Sequence, residues 1–212
     1  MPAQVLLASS NPGKLREYRE LAAGSPLALG PLPEFETLPA FDESAPTFAE
    51  NSAGKALHYS RFTPEIVLAD DSGLVVPALG GAPGVRSARY AGAHASSGAC
   101  VAKLLREMAA IAGDARRARF VCVISLARRG RALAVVSDFA EGFIAQEPRG
   151  SNGFGYDPVF YFPDRRRTYA QADPAEKNRV SHRGRAFRRL LATLVPPGRS
   201  GTSPLPLASN LA

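Results

Sequence analysis

Gln4-Val5-Leu6-Leu7-Ala8-Ser9-Ser10-Asn11-Pro12-Gly13-Lys14, residues 4–14, decides how the rest of the chain is read. The apolar run ending at Ala8 reads as a buried strand. The turn after it places Asn11 where it can cap a helix and Pro12 at the first helical position. Leu15, Tyr18, Leu21 and Ala22 then recur at the spacing of one apolar helical face, so the helix is predicted to run to about residue 23. A strand, a short polar turn and a capped helix, in that order, open an α/β domain.

The chain continues in the same vein. Residues 24–46 are rich in proline and small residues and are expected to form an irregular surface connection. Thr47-Phe48-Ala49-Glu50 has the capping-box pattern, opening a helix predicted to reach about Ser60. EIVLAD (65–70) follows as a strand ending in carboxylates, and LVVPAL (74–79) as a second short strand before a glycine-rich loop from Gly80 to Gly92. Ser96 or Ser97 can cap a helix that buries Val101, Leu104, Leu105, Met108 and Ile111. RFVCVISLA (119–127) and RALAVVSDFAEGFIA (131–145) flank a turn at Arg128 to Gly130 and predict an antiparallel hairpin, which makes the sheet mixed. After the polar loop PRGSNGFGYDP (148–158) come a strand, VFYF (159–162), and a helical region capped by Asp173 and ending near Leu194. The expectation is one domain over residues 1–195, followed by a disordered tail, PPGRSGTSPLPLASNLA, over 196–212.

Composition narrows the partners. A chain of 212 residues with 45% hydrophobic residues can bury a substantial core. Its formal charge of +7 implies an anionic partner, whether nucleic acid, a membrane surface or a polyphosphate. Much of that charge sits in short arginine clusters such as Arg116-Arg117, Arg128 to Arg131 and Arg165 to Arg167, which read as solvated turns. The 2 cysteines, Cys100 and Cys122, have no disulfide or zinc spacing, and a reducing cytoplasm is the expected compartment. MPAQVLLASS has no charged leader region and too short an apolar run for a membrane span, so it is expected to be a first core strand.

Five short blocks can carry chemistry. Ser9 to Lys14 aims a helix N-terminus and one ammonium at an anion, although GxxxxGK[ST] is absent. Glu50 sits where a capping-box glutamate belongs, and it is equally a hard oxygen donor for Mg2+, with Lys55 on the same helix free for a phosphate. Asp70-Asp71-Ser72-Gly73 is turn chemistry, or a pair of acids where α/β folds place ligands. In Ser151 to Pro158, Phe154 offers a stacking face between glycines and Asp157 an acceptor; a flexible hairpin loop is the plainer reading. Lys177 and His182-Arg183 would face apart on one unbroken helix. Ser181 can restart the helix and put His182 and Arg183 in its first turn, or the segment is simply a basic surface helix.

Together and in this order, SSNPGK, TFAENSAGKA, ADDSGLVVPALGGAPGVRSARYAG, PRGSNGFGYDPVF and EKNRVSHRGRA resemble the inosine triphosphate pyrophosphatase family over roughly residues 4–194. The resemblance implies an elongated mixed α/β fold with two lobes around a central nucleotide-binding cleft, a homodimer, and Mg2+ as cofactor. It implies that Ser9, Ser10, Asn11, Pro12, Gly13, Lys14, Lys55 and Lys177 contact nucleotide, and that Glu50 and Asp71 serve the metal. Asp71 would be the catalytic acceptor and Ser72 a substrate contact. Phe154, Gly155, Tyr156 and Asp157 would form the base pocket, with His182 and Arg183 as donors to a purine 6-oxo group. The expected reaction is hydrolysis of ITP, dITP or XTP to the monophosphate and pyrophosphate. The chain departs from the family pattern in AGAHASSGACVAKLL (91–105) and at Gln171, where a glutamate is usual. A Maf-like nucleotide pyrophosphatase shares the strand-loop-helix opening, but FGYD (154–157) followed by SHR (181–183) argues against it. A basic RNA-binding protein would suit the charge, yet no RNP-like aromatic strand motif is present.

Overall fold

Asn11 caps the first helix, its side-chain oxygen accepting from the backbone N–H groups of Gly13 (2.9 Å) and Lys14 (3.1 Å). In the computed structural model, which describes residues 3–194, this cap joins β1 (Ala3–Leu7) to α1 (Pro12–Ala22). The predicted tail, 196–212, lies outside the described residues.

The chain continues through β2 (Leu27–Pro31), α2 (Phe48–Tyr59), β3 (Ile66–Val75), α3 (Ser97–Glu107), β4 (Arg117–Arg128), β5 (Arg131–Ile144), β6 (Phe160–Phe162), β7 (Arg167–Thr168), α4 (Pro174–Val180) and α5 (His182–Leu194). All seven strands form one mixed sheet in the order β2-β1-β3-β4-β5-β6-β7. β1 pairs parallel to β2 and β3, and the remaining ladders are antiparallel. The α/β class and mixed sheet expected from the sequence are therefore present.

Three expectations change. Residues 24–46 are not wholly irregular, because Leu27–Pro31 adds an edge strand beside β1; its only buried residue is Leu27, so it carries almost no apolar pattern. β3 does not end at its carboxylates. It runs ten residues, absorbing the start of the predicted LVVPAL strand, with Asp70 opposite Ile124 and Asp71 opposite Val123. And Arg116 is no solvated turn residue: it is buried, donating to Met108 O (2.9 Å), Ile111 O (2.8 Å), Ile144 O (2.7 Å) and Ala145 O (2.8 Å). One guanidinium thus satisfies four carbonyls between the end of α3 and the end of β5.

The alternation of strand side chains places the site. On one face, Leu68, Ile124 and Leu126 are buried with Tyr18 of α1 and Phe187 and Leu190 of α5. On the other, Val67 and Ala69 pack with Ala56 and Tyr59 of α2. Asp70 follows Leu68 onto the first face and Asp71 follows Ala69 onto the second. β1 pairs with β3 only as far as Leu68, so both acids lie just past the point where β1 leaves the sheet and the Ser9 to Lys14 turn begins.

Candidate functional site

Beside that point a cavity of about 210 Å³ is lined by Asn11, Ser72, Phe120, Phe154, Gly155, Tyr156, Asp157, Lys177, His182 and Arg183, among others. Ser181 breaks the C-terminal helical region, accepting from Gly184 N (3.2 Å) through its hydroxyl, and this restart presents His182 and Arg183 in the first turn of α5. His182 stacks on Phe120 with ring centroids 4.5 Å apart and planes 7° from parallel. Burial, reinforced by the Arg183 and Lys177 charges, holds its pKa well below the usual range, so the imidazole is neutral.

Arg183 is fully enclosed. Its Nε and Nη2 donate to Asp70 Oδ2 (3.2 and 3.1 Å), Nη2 also to Ser72 Oγ (2.7 Å), and Nη1 to Glu17 Oε2 (2.5 Å). Of the five N–H donors of a guanidinium, one on Nη1 is left for a ligand. Glu17 uses its other oxygen to accept from Lys177 Nζ (2.6 Å), which also pairs with Asp157. Asp157 accepts in turn from Phe154 N (2.7 Å). Burial alone would raise the pKa values of Asp70 and Glu17. For Asp70 the Lys14 and Arg183 charges outweigh it, and for Glu17 those of Arg183 and Lys177, so both carboxyls lie below the usual range. Asp157, buried and facing Glu17 as well as Lys177, is pushed up instead. The Phe154 ring lies beneath Lys177 Nζ at 5.0 Å and the Arg183 guanidinium at 5.6 Å, and packs on Gly13, where a Cβ would collide with it.

The second part of the site is more open. Lys14 Nζ pairs with Asp70 Oδ1 (2.9 Å) and donates to Asp70 O (3.2 Å). Asp71 accepts from Asn51 Nδ2 (3.0 Å) and from Ser72 N (2.9 Å). Burial raises its pKa, Lys14 and Lys55 act against burial, and the Glu43 charge adds to it. Lys55 is paired with Glu43 (2.8 Å). Glu50 is exposed, and its carboxylate accepts from the Thr47 hydroxyl (2.7 Å), which itself caps Glu50 N (3.1 Å). Ser9 accepts from Asn11 N (3.2 Å), while Ser10 and Pro12 are exposed at the helix start.

Thus Asn11, Ser72, Phe154 to Asp157, Lys177, His182 and Arg183 share one cavity, and Lys14 and Lys55 act on the neighbouring Asp71, whereas among the described residues the side-chain hydrogen bonding of Glu50 is confined to Thr47. Sequence reasoning missed Glu17, Glu43 and Phe120, and it gave no role to Asp70 within the acid pair or to Asn51 beside Glu50. It also treated the lysines as free positive charge, whereas each of Lys14, Lys55 and Lys177 has a carboxylate partner. The N–H groups of Gly13 and Lys14 are likewise already taken by the Asn11 cap. Among the described residues no three His, Cys, Asp or Glu side chains are grouped to hold a metal by themselves.

A mixed α/β sheet with an aromatic, donor-lined pocket opening beside paired acids and lysines defines a protein built to take a flat polar ring carrying an anionic tail. The sequence model of the Ham1 family matches residues 5–193, and the chain belongs to that family. It is 47% identical over 187 residues to a dITP/XTP pyrophosphatase of Geobacillus kaustophilus, covering 88% of this chain and 92% of that one. The solved structure of a HAM1 protein from Coxiella burnetii superposes with a TM-score of 0.80 at 44% identity, over 91% of this chain and 98% of that one. The Staphylococcus aureus Ham1 protein gives 0.79 at 37% identity, over 90% and 97%.

Proposed function

We propose that the protein hydrolyses non-standard purine nucleoside triphosphates, ITP, dITP and XTP, to the monophosphate and pyrophosphate. One observation carries this reading: a buried Arg183 with one N–H unspent, next to a neutral His182, lines a ring-sized cavity together with Ser72, the residue after Asp71. Donors at that wall suit a 6-oxo group and leave the 6-amino group of adenine unmatched, and a site built around hydrogen bonds rejects a mismatched base strongly. The family relationship supports the same chemistry, since the Geobacillus relative is named for dITP and XTP.

Phe154 offers its ring to the base, and Gly155 to Asp157 shape the pocket around it. Ser9 to Lys14, Lys55 and Lys177 face the polyphosphate, which draws these ammonium groups from their carboxylate partners. Asp71 accepts the proton of the attacking water. The acceptor set of Asp71, Glu43 and Glu50 is all hard oxygen, which fits Mg2+, with Asp71 and Glu50 as the assigned ligands. Bound there, Mg2+ would neutralise phosphate charge and polarise the attacked phosphorus.

A homodimer would cover the exposed Val135 and Phe139, which share one face of β5. The reduced cysteines Cys100 and Cys122 suit a cytoplasmic enzyme. Among the described residues no helix is long and apolar enough to cross a membrane. The direct test incubates a panel of nucleoside triphosphates with Mg2+ and identifies products. ITP, dITP and XTP should yield monophosphate and pyrophosphate far faster than ATP; orthophosphate as the first product would sink the reaction assignment.

A further inference from the structure

β1 pairs with β3 only as far as Leu68, so the edge of β3 that β1 leaves needs other partners for its backbone groups. The segment after β3 folds back to supply them. Val76 N donates to Ala82 O (3.1 Å), Val75 bridges to Pro83, and Leu74 N donates to the hydroxyl of Ser87 (2.9 Å), whose own proton goes to Gly84 O (2.6 Å). Ser87 is buried in a short 3-10 helix, Gly84–Arg89, and packs so closely on the strand that a Cβ at Gly73 would collide with its Oγ and with Gly84 O. The carbonyl of the same residue serves a different element. It accepts from the hydroxyl of Tyr156 (2.9 Å), a buried member of the ring-lining loop, and Ser87 and Tyr156 both border the 210 Å³ cavity.

We propose that Ser87 is a positioning residue for the hydrolysis: through its hydroxyl and its carbonyl it joins the loop that lines the base cavity to the strand that carries Asp71 and Ser72, so that base and reacting acid are seated as one unit. This rests on the function proposed above. Asp71 and Ser72 precede Leu74 by three and two residues on one continuous strand, and the hydrogen bond at Leu74 resists any shift or twist of that stretch. On the loop side, Asp157 follows Tyr156 and holds Phe154 N (2.7 Å), so Phe154 and Tyr156 move together when a ring enters between the walls. A base that fills the cavity presses on Tyr156, and Ser87 passes that load to β3. Because Ser87 acts through its neighbours, its contribution reads out in kcat and not in how tightly the base is held.

The test measures kcat for ITP with Mg2+, and the dissociation constant of inosine monophosphate by calorimetry, for wild type, Ser87→Ala, Tyr156→Phe and the double variant. Each single variant removes one of the two links and should lower kcat about tenfold, the worth of one buried hydrogen bond, while the dissociation constant of the monophosphate changes less than about twofold. The double variant should fall no further than either single one, because both cut the same connection. Three results overturn the inference: an unchanged kcat, a loss confined to monophosphate binding, which makes the pair mere pocket wall, or losses that multiply to about a hundredfold in the double variant, which make the two links independent. Should Ser87→Ala not fold, Tyr156→Phe decides alone, since it cuts the connection from the loop side and keeps the ring. If wild type releases pyrophosphate from ITP and the variants match it, this inference alone falls. If wild type releases none, the proposed function falls with it.

Discussion

Asp70 and Asp71 are neighbours in the chain, yet they belong to two different regions of the molecule. Asp70, 1% exposed, is enclosed with Lys14, Arg183 and the Cys122 thiol, and its carboxyl is held well below the usual range. Asp71, 7% exposed, meets two N–H donors at the rim and is pushed up. One is a fixed counter-ion that orients cations, and the other is left able to exchange a proton or meet a metal. The same side chain acquires opposite roles because strand geometry sends it to opposite faces.

The largest effect that would break this contrast is at Asp71. Asp71→Asn should lower pyrophosphate release about 10³-fold or more while circular dichroism stays native, because the amide neither accepts the proton nor matches a carboxylate at a metal. Near-normal turnover would move the chemistry elsewhere. Arg183→Ala comes next. It strands Asp70 and Glu17 without their guanidinium and should cost about 3–5 kcal/mol in urea unfolding. The same variant should reduce the ITP-to-ATP ratio of kcat/KM on the order of 10²-fold, and a preserved ratio would remove Arg183 from base reading.

Acid should separate the two regions further. The folded pKa values of Asp70 and Glu17 are depressed, so the stability they contribute is present above the unfolded carboxylate pKa, about 4, and is lost as pH falls through their folded values. Thermal unfolding midpoints should therefore fall below pH 4, and Asp70→Asn should flatten that acid limb while lowering the midpoint at pH 7. Asp71 has the opposite sign: its raised folded pKa disfavours the ionised native state, so stability is lost as pH rises from the unfolded value through the folded one. The smallest predicted effect is that Asp71→Asn leaves the unfolding midpoint at pH 7 unchanged or slightly higher; a marked fall would make Asp71 a structural residue.

Legibility followed the range of the forces involved. The Asn11, Thr47, Ser96 and Asp173 caps are local, and each stands where the sequence places it. The restart at Ser181 was legible for the same reason. Glu17 was within reach, lying three residues beyond Lys14 on one helix face. Glu43 had no signal, because it sits in a proline-rich segment whose course depends on Asn51 and Arg89. The Phe120–His182 stack joins β4 to α5 and exists only once the sheet is assembled. β2 was missed because an edge strand with one buried residue looks like a loop, and Arg116 because charge clusters conceal the one member that turns inward.

The alternation along β3 also decides where the gene can tolerate a change of length. Deleting or adding one residue between Ile66 and Ala69 would invert the phase of everything after it, turning Asp71 toward Arg183 and Asp70 toward Asn51. The connection 24–46 can lengthen or shorten at modest entropic cost wherever β2, Glu43 and Ala45 keep their seats. Indels that survive in functional descendants of this chain should accordingly collect in that connection and avoid the ten codons of the central strand.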